Sequence, residues 1–194
     1  MGDRSLPASA AWQHCGARDG FESVFMRSLP GGGYGFEGHT AAVEEGTAWA
    51  VRYQIHVDER WVTRTARIWS WTGAGAQELL LEADGQGHWR VNGEPRGDLD
   101  GCLDVDLESS ACTNTFPVHR MGLAVGQVAQ APAVYVRAVG LGVVRLDQGY
   151  VRLLDGQRGE SYDYRSDTFD YRGRLDFDES GLVLTYPDLA TRIL

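Results

Sequence analysis

The stretch Trp49-Ala50-Val51-Arg52-Tyr53-Gln54-Ile55-His56-Val57 decides the fold class. Trp49, Val51, Tyr53, Ile55 and Val57 are apolar, and Arg52, Gln54 and His56 stand between them. A period of two is that of an extended chain, whose successive side chains point to opposite faces. One face of this segment is expected to meet a core and the other to meet water or a polar cavity. The alternation returns near the end of the chain, where Phe169, Tyr171, Leu175 and Phe177 alternate with Asp170, Arg172, Arg174 and Asp176.

Outward from this strand, turn residues separate further runs of the same kind. Asp58-Glu59-Arg60 leads into residues 61–71, and Gly73-Ala74-Gly75 closes that run. Residues 78–83 read as the next strand, followed by the turn Asp84-Gly85-Gln86-Gly87, a run over 88–91, and Asn92-Gly93, a strong hairpin-turn dipeptide. Residues 133–139, 143–146, 151–154, 162–166 and 182–186 fit later strands. Many short strands joined by turns predict a mainly β chain, built on one many-stranded, barrel-like antiparallel sheet. One short helix is expected from Thr113-Asn114-Thr115, whose side chains can cap free N–H groups. Pro117 suits its first turn, and Gly122 limits it to about two turns. A weaker helix signal lies at residues 8–11. With no repeat, low-complexity stretch or linker, residues 1–194 are expected to form a single domain, residues 1–10 being loosely held.

The chain's 194 residues are 43% hydrophobic and include 6 Trp, 8 Tyr and 6 Phe, a composition that builds a core rather than a disordered chain. The formal charge is −9, and all 18 cationic residues are arginine. Without lysine, Schiff-base and P-loop chemistry are excluded. The acidic balance also counts against nucleic-acid binding, which needs a positive face. Cys15, Cys102 and Cys112 are an odd number with no C-x-x-C pair, which fits reduced thiols in a cytoplasm. The start lacks the apolar core of a signal peptide, and no run approaches the roughly 18 apolar residues of a membrane span, so no transmembrane segment is expected.

The segment 88–120 is richest in candidate chemistry. Within residues 99–107, Leu103, Val105 and Leu107 are expected to face one way, and Cys102, Asp104 and Asp106 the other. Same-face neighbours on a strand stand about 6.6 Å apart. The two carboxylates thus share a patch, and burial with mutual repulsion would raise at least one pKa. Three readings follow: a solvated strand face, an acidic pocket that accepts hydrogen bonds from ligand hydroxyls, and a glycosidase pair. Placement on one strand counts against the last, because glycosidase carboxyls flank the scissile bond. Thr113 and Asn114 are read first as helix caps. Arg120 is placed to pair with the aspartates or to reach a ligand.

Taken together, Gly87-His88-Trp89, Asn92-Gly93, the run Leu99-Asp100-Gly101-Cys102-Leu103-Asp104-Val105-Asp106, and Thr113-Asn114-Thr115 with Pro117 and Arg120 resemble the putative glycolipid-binding family of bacterial proteins. The similarity extends to Tyr53, to Trp61-Val62-Thr63-Arg64, and to a C-terminal part with Tyr162-Asp163-Tyr164, Gly181-Leu182-Val183 and Tyr186-Pro187. It covers nearly the whole chain from about Trp12. The resemblance implies a many-stranded antiparallel sheet around a single helix, a remote likeness to lipoprotein carriers, an acidic pocket, a homodimer and a role in glycolipid metabolism. Carried over by position, Asp104, Asp106 and Asn114 become the pocket candidates, and Glu22 matches an acidic position near the family's N-terminal strand. His119 stands where the family usually has a basic residue and Phe116 where it has an aliphatic one. These departures imply a less cationic, more pH-dependent site and a narrower apolar cavity.

Other signals are weaker. Pro30-Gly31-Gly32-Gly33-Tyr34-Gly35 reads as a flexible turn, lacking the Lys of a phosphate cradle. The five histidines form no ligand motif, so neither metal nor cofactor is expected. Among the tryptophans, Trp89 is the candidate for a sugar-stacking platform, because it lies beside the acidic segment. The expected ligand set is Asp104, Asp106, Asn114, Thr113, Arg120, Trp89 and Glu22, binding a glycolipid or sugar-like molecule without catalysis. The alternatives are a carboxylate-dependent glycoside hydrolase and a protein-interaction domain with exposed edge strands.

Overall fold

The structure, a computed structural model, describes residues 5–156 and 158–194. Eight strands come first in the chain: β1 (Ser9–His14), β2 (Asp19–Ser28), β3 (Tyr34–Glu44), β4 (Thr47–Val57), β5 (Thr63–Thr72), β6 (Gly75–Ala83), β7 (Trp89–Val91) and β8 (Glu94–Pro95). After β9 (Asp104–Leu107) comes a 3-10 turn, Cys112–Asn114, that runs into α1 (Thr115–Met121). Then follow β10 (Val128–Gln130), β11 (Ala133–Val136), β12 (Val143–Leu146), β13 (Gln148–Arg152) and β14 (Ser161–Ser166). The last strands are β15 (Tyr171–Phe177), β16 (Val183–Tyr186) and β17 (Ala190–Arg192).

Fourteen strands make one sheet in the order β10-β13-β14-β15-β16-β17-β1-β2-β3-β4-β5-β6-β7-β8. Its N-terminal wing, β1 to β8, is a run of hairpins. Its C-terminal wing joins it where β17 pairs with β1, Trp12 standing opposite Arg192. β10 and β8 are the two ends of the series, so the barrel-like sheet is not closed. The hairpin turns use the backbone that the sequence forecast. Asn92 and Gly93 both have positive φ, 51° and 85°, in the tight link between β7 and β8.

Inside this wrap lie α1 and a second sheet of three strands, in the order β12-β11-β9, with β9 and β11 parallel. Inward-facing hydroxyls of the large sheet pin the inner layer. Thr40 Oγ1 donates to Ser109 O at 2.7 Å, and Ser70 Oγ donates to Ala138 O at 2.6 Å. Thr63 receives the Val105 amide on its Oγ1 at 3.1 Å, while its own amide donates to Leu103 O at 3.0 Å. Each bond satisfies a backbone group that burial would otherwise leave unpaired. α1 divides the interior: Phe116 belongs to the core under the N-terminal wing, and Val118 to the tyrosine-rich core under the C-terminal wing.

Several expectations change. Residues 8–11 are no helix. Ser9–His14 is a strand paired with β2, because Ala10, Trp12 and His14 turn inward together. Ser9 and Ala10 are therefore held, and residues 1–4 lie outside the described residues. Only Asp104–Leu107 of the 99–107 run is extended, and Cys102, which precedes the strand, packs into the apolar core. Phe116 is fully buried with its ring 4.9 Å from that of Phe36, so it fills core space.

Candidate functional site

Asp104 and Asp106 do share one face of β9, but that face is not solvated. Asp104 is 0% and Asp106 8% exposed. The inner three-stranded sheet sets Ala133 beside Asp104 and Tyr135 beside Asp106. α1 brings Arg120 to Asp104: Nε donates to Oδ1 at 3.1 Å and Nη2 to Oδ2 at 2.6 Å. This two-pronged fit occupies both oxygens of Asp104. Burial raises its pKa, and the guanidinium works against that rise.

Asp106 is different. Its Oδ1 accepts from Thr113 Oγ1 at 2.7 Å. A carboxylate has about four lone-pair sites, and among the described residues Thr113 is the side chain that bonds to it, with the Leu107 amide close by. Burial, against the Thr113 bond and with the charge of Asp104 adding to it, pushes its pKa up to about 7. The group is thus a carboxyl near the middle of its titration at neutral pH, able both to donate and to accept.

The residues expected to cap the helix serve this site instead. Neither Thr113 nor Asn114 makes a capping bond, because the 3-10 turn carries the chain into α1 already helical. Their side chains are free to point away. Asn114 Oδ1 accepts from Tyr150 Oη at 2.8 Å, and Thr113 addresses Asp106. At the other end, Gly122 adopts φ 52° and ψ 45° and its amide returns to Val118 O, which ends the helix as the sequence indicates.

Glu22 does not open into a pocket. Its carboxyl takes Tyr53 Oη at 2.6 Å, the Ala111 amide at 2.7 Å and the hydroxyl of Ser110. With 1% exposure and these donors, it anchors the turn that delivers Thr113 and Asn114. Trp89 is likewise a core residue: it is 2% exposed and its indole donates to Cys102 O at 2.8 Å, so it offers no stacking face. His119 stacks on Trp61, with ring centroids 3.7 Å apart, and its Nε2 lies 2.8 Å from Ser180 O. The structure therefore brings Asp104, Asp106, Thr113, Asn114 and Arg120 together and leaves Trp89 and Glu22 in supporting roles.

Facing the acidic group is a belt that sequence reading missed. Tyr150, Tyr162, Tyr164, Tyr171 and Tyr186 turn inward from β13 to β16, in ring contacts 5.2 to 6.1 Å between centroids. Burial raises the phenol pKa of Tyr135, Tyr150, Tyr164 and Tyr186, and the charge of Asp106 raises it further. All four rings therefore stand within electrostatic reach of that carboxyl. The spacing of two in Tyr162-Asp163-Tyr164 was a signal that both rings share a face. Which partner they meet depends on contacts across more than 40 residues of chain. Chemically, the arrangement offers phenol hydroxyls, one titrating carboxyl and a neutralised Asp104–Arg120 pair. It lacks the two free carboxyls, one acid and one base, that glycoside hydrolysis uses, because Arg120 occupies Asp104.

No helix among the described residues is long and apolar enough to cross a membrane. The three cysteines are unpaired, Cys15 exposed and Cys102 and Cys112 buried. No curated protein matches the chain. Its structure is similar to the crystal structure of a DUF1089 family protein from Pseudomonas aeruginosa, with 32% identity and a TM-score of 0.74 over 100% of this chain and 97% of that one. A β-barrel-like protein of the domain of unknown function DUF1849 from Brucella abortus shares the fold, at 9% identity and a TM-score of 0.52, over 95% of this chain and 92% of that one. The profile of the putative glycolipid-binding family matches residues 9–192. With every described strand inside that span, the chain belongs to the putative glycolipid-binding family.

Proposed function

We propose that this chain binds, without catalysis, the polar head of a glycolipid-like or sugar-bearing amphipathic ligand at Asp106, as part of glycolipid metabolism. One observation carries the reading: a buried carboxyl with spare hydrogen-bonding capacity faces a belt of phenols. Sugar hydroxyls need partners that both donate and accept, and a carboxyl with a pKa about 7 beside neutral phenols provides them. Asn114 and Arg120 complete the polar wall. The Asp104–Arg120 pair keeps that wall close to neutral, which favours an uncharged head. The apolar cores under both wings are packed with side chains, so in this reading the acyl part remains outside and only the polar head approaches Asp106, which is 8% exposed.

The reading includes a cytoplasmic location, supported by the three unpaired thiols, and one domain acting as a homodimer. For the dimer, the support is an exposed apolar row on the outer sheet face. There Phe21, Ala41, Ala50 and Trp71 stand opposite one another across β2 to β5. Native mass spectrometry of freshly purified protein, repeated after organic extraction, tests the binding. A reproducible adduct that extraction removes supports it and gives the ligand mass. A bare chain that also fails to take up octyl β-D-glucoside counts against it.

A further inference from the structure

The C-terminal wing has a second face. On the outside of β10, β13, β14 and β15, behind the tyrosine belt, lies a groove of about 470 Å³. Its wall carries Arg165, Arg172 and Arg174 against a single acid, Asp163. Such a local excess of cations is unexpected on a chain of net charge −9.

The register explains the shape. Arg165 stands directly opposite Arg172, and Asp163 directly opposite Arg174. Directly paired strand residues have Cβ atoms about 5 Å apart, and residues two apart along a strand lie about 6.6 Å apart. The three arginines therefore rise from three corners of one small quadrilateral. On β13, the position beside Arg165 is Gly149, whose missing side chain leaves room for the Gln130 amide. Arg165 leans over it toward the Gln130 side-chain oxygen, 2.8 Å away once that amide is turned to satisfy both its groups. Val128 and Val151, paired across β10 and β13, add an apolar patch at one side.

Like charges directly opposite on a sheet repel, and the surface partners here are weak. Arg165 reaches Asp167 only at 4.0 Å, with both side chains about half exposed. Arg174 meets Asp176 at 3.2 Å, again with both well exposed, and its Nη2 donates to Ser161 Oγ at 2.9 Å, both bonds being ones it must leave to join the groove. Exposed pairs of this kind contribute little, so they exchange readily for a better acceptor. Among the described residues, Arg172 has no carboxylate within 4.0 Å. Guanidinium forks match tetrahedral and planar oxyanions. A groove of this volume exceeds a bare oxyanion and lies in the range of small-molecule sites.

From these observations we infer that the groove is an anion-binding site for a small phosphate-bearing molecule. Arg172 and Arg165 grip the phosphate, Arg174 turns from Asp176 to join them, and the organic part rests against Val128 and Val151. Its charged residues are outward ones on the strands whose inward residues form the tyrosine belt, and Tyr150 and Tyr164 border the groove from those strands.

Nuclear magnetic resonance titration of the whole chain with inorganic phosphate, glycerol 3-phosphate and glycerol tests this. Saturable shifts are expected with glycerol 3-phosphate, at residues of β13 to β15, and none with glycerol. Arg172→Gln is expected to weaken that binding at least tenfold, and Asp106→Leu to leave it unchanged. Retained binding in Arg172→Gln, or in Arg165→Gln with Arg172→Gln, overturns the assignment, as does the absence of saturation in the wild type. Phosphate alone binding as tightly as glycerol 3-phosphate overturns the part given to Val128 and Val151. Tighter binding of the ester supports it.

Discussion

Thr113 Oγ1 lies 2.7 Å from Asp106 Oδ1, and the same hydroxyl accepts the Leu107 amide at 3.3 Å. One side chain thus ties the entry of the helix to the strand that carries the carboxyl. It is also the neighbour that opposes the effect of burial on Asp106. Removing this hydroxyl with Thr113→Val should raise the Asp106 pKa further and cost about 1–2 kcal/mol of stability. A carbon-13 titration of the Asp106 carboxyl reads the pKa directly. An unshifted curve would show that the hydroxyl does not address the carboxylate.

The Asp104–Arg120 pair gives a second test. Asp104→Asn leaves a half-buried guanidinium without its counter-charge and should destabilise the chain by about 3 kcal/mol. Replacing both, as Asp104→Leu with Arg120→Met, should cost clearly less than the two single changes added together. Urea unfolding midpoints for the four proteins of this cycle measure the coupling. Simple additivity would mean that the two side chains act independently.

Stability should depend on pH with a defined sign. Asp106 has an ordinary value of 3.8 and a folded value about 7, so between them the folded chain holds a proton that the unfolded chain has released. Its contribution is complete at low pH and is lost as pH rises through about 7. His14 acts in the opposite direction. Burial and the charge of Arg18 lower its pKa from 6.5 to about 4, so its contribution is lost as pH falls through that window. From pH 6.5 to about pH 8 the Asp106 contribution should fall by about 1 kcal/mol, partly offset because the unfolded His14, half protonated at pH 6.5, gives up its proton over the same range. Asp106→Leu should flatten that limb. Denaturant midpoints across this range decide it, and a fall of equal size in the variant would assign the loss to another group.

Trp89 separates packing from recognition. Trp89→Phe removes the buried bond to Cys102 O and leaves unfilled volume, for an expected loss of about 2–3 kcal/mol. Affinity for an alkyl glycoside should not change. Calorimetric titration beside a melting curve distinguishes the outcomes, and weakened binding at unaltered stability would return Trp89 to the site.

Much of this fold is written in local patterns. Trp49–Val57 alternates cleanly because its outward face is polar, and it lies within β4, an inner strand of the sheet's N-terminal wing. Asn92-Gly93 turns where it should, since few other pairs accept two positive φ angles. β2 and β3 escaped notice for a physical reason. β2 points Phe21 and Phe25 outward, each 58% exposed, and buries Glu22. β3 buries Gly38 opposite Tyr53, where a Cβ would overlap the Tyr53 ring. Neither segment shows the expected apolar-in, polar-out rhythm.

The juxtaposition of Asp104, Asp106, Thr113, Asn114 and Arg120 was legible because they fall within one short segment. Glu22 and Trp89 are instead buried and bonded elsewhere, because proximity in sequence, or match of residue type, does not reveal whether a side chain is already satisfied by its neighbours. The tyrosine belt comes from residues 150–186, and only the packing of the C-terminal wing over the inner layer sets it against Asp106.

Calorimetric titration of octyl β-D-glucoside into the wild type and into Asp106→Leu, which keeps the shape and removes the oxygens, tests the central claim most directly. The account predicts saturable binding by the wild type and at least a tenfold loss in the variant, with an unchanged circular dichroism spectrum. Equal affinity in the two proteins would contradict it.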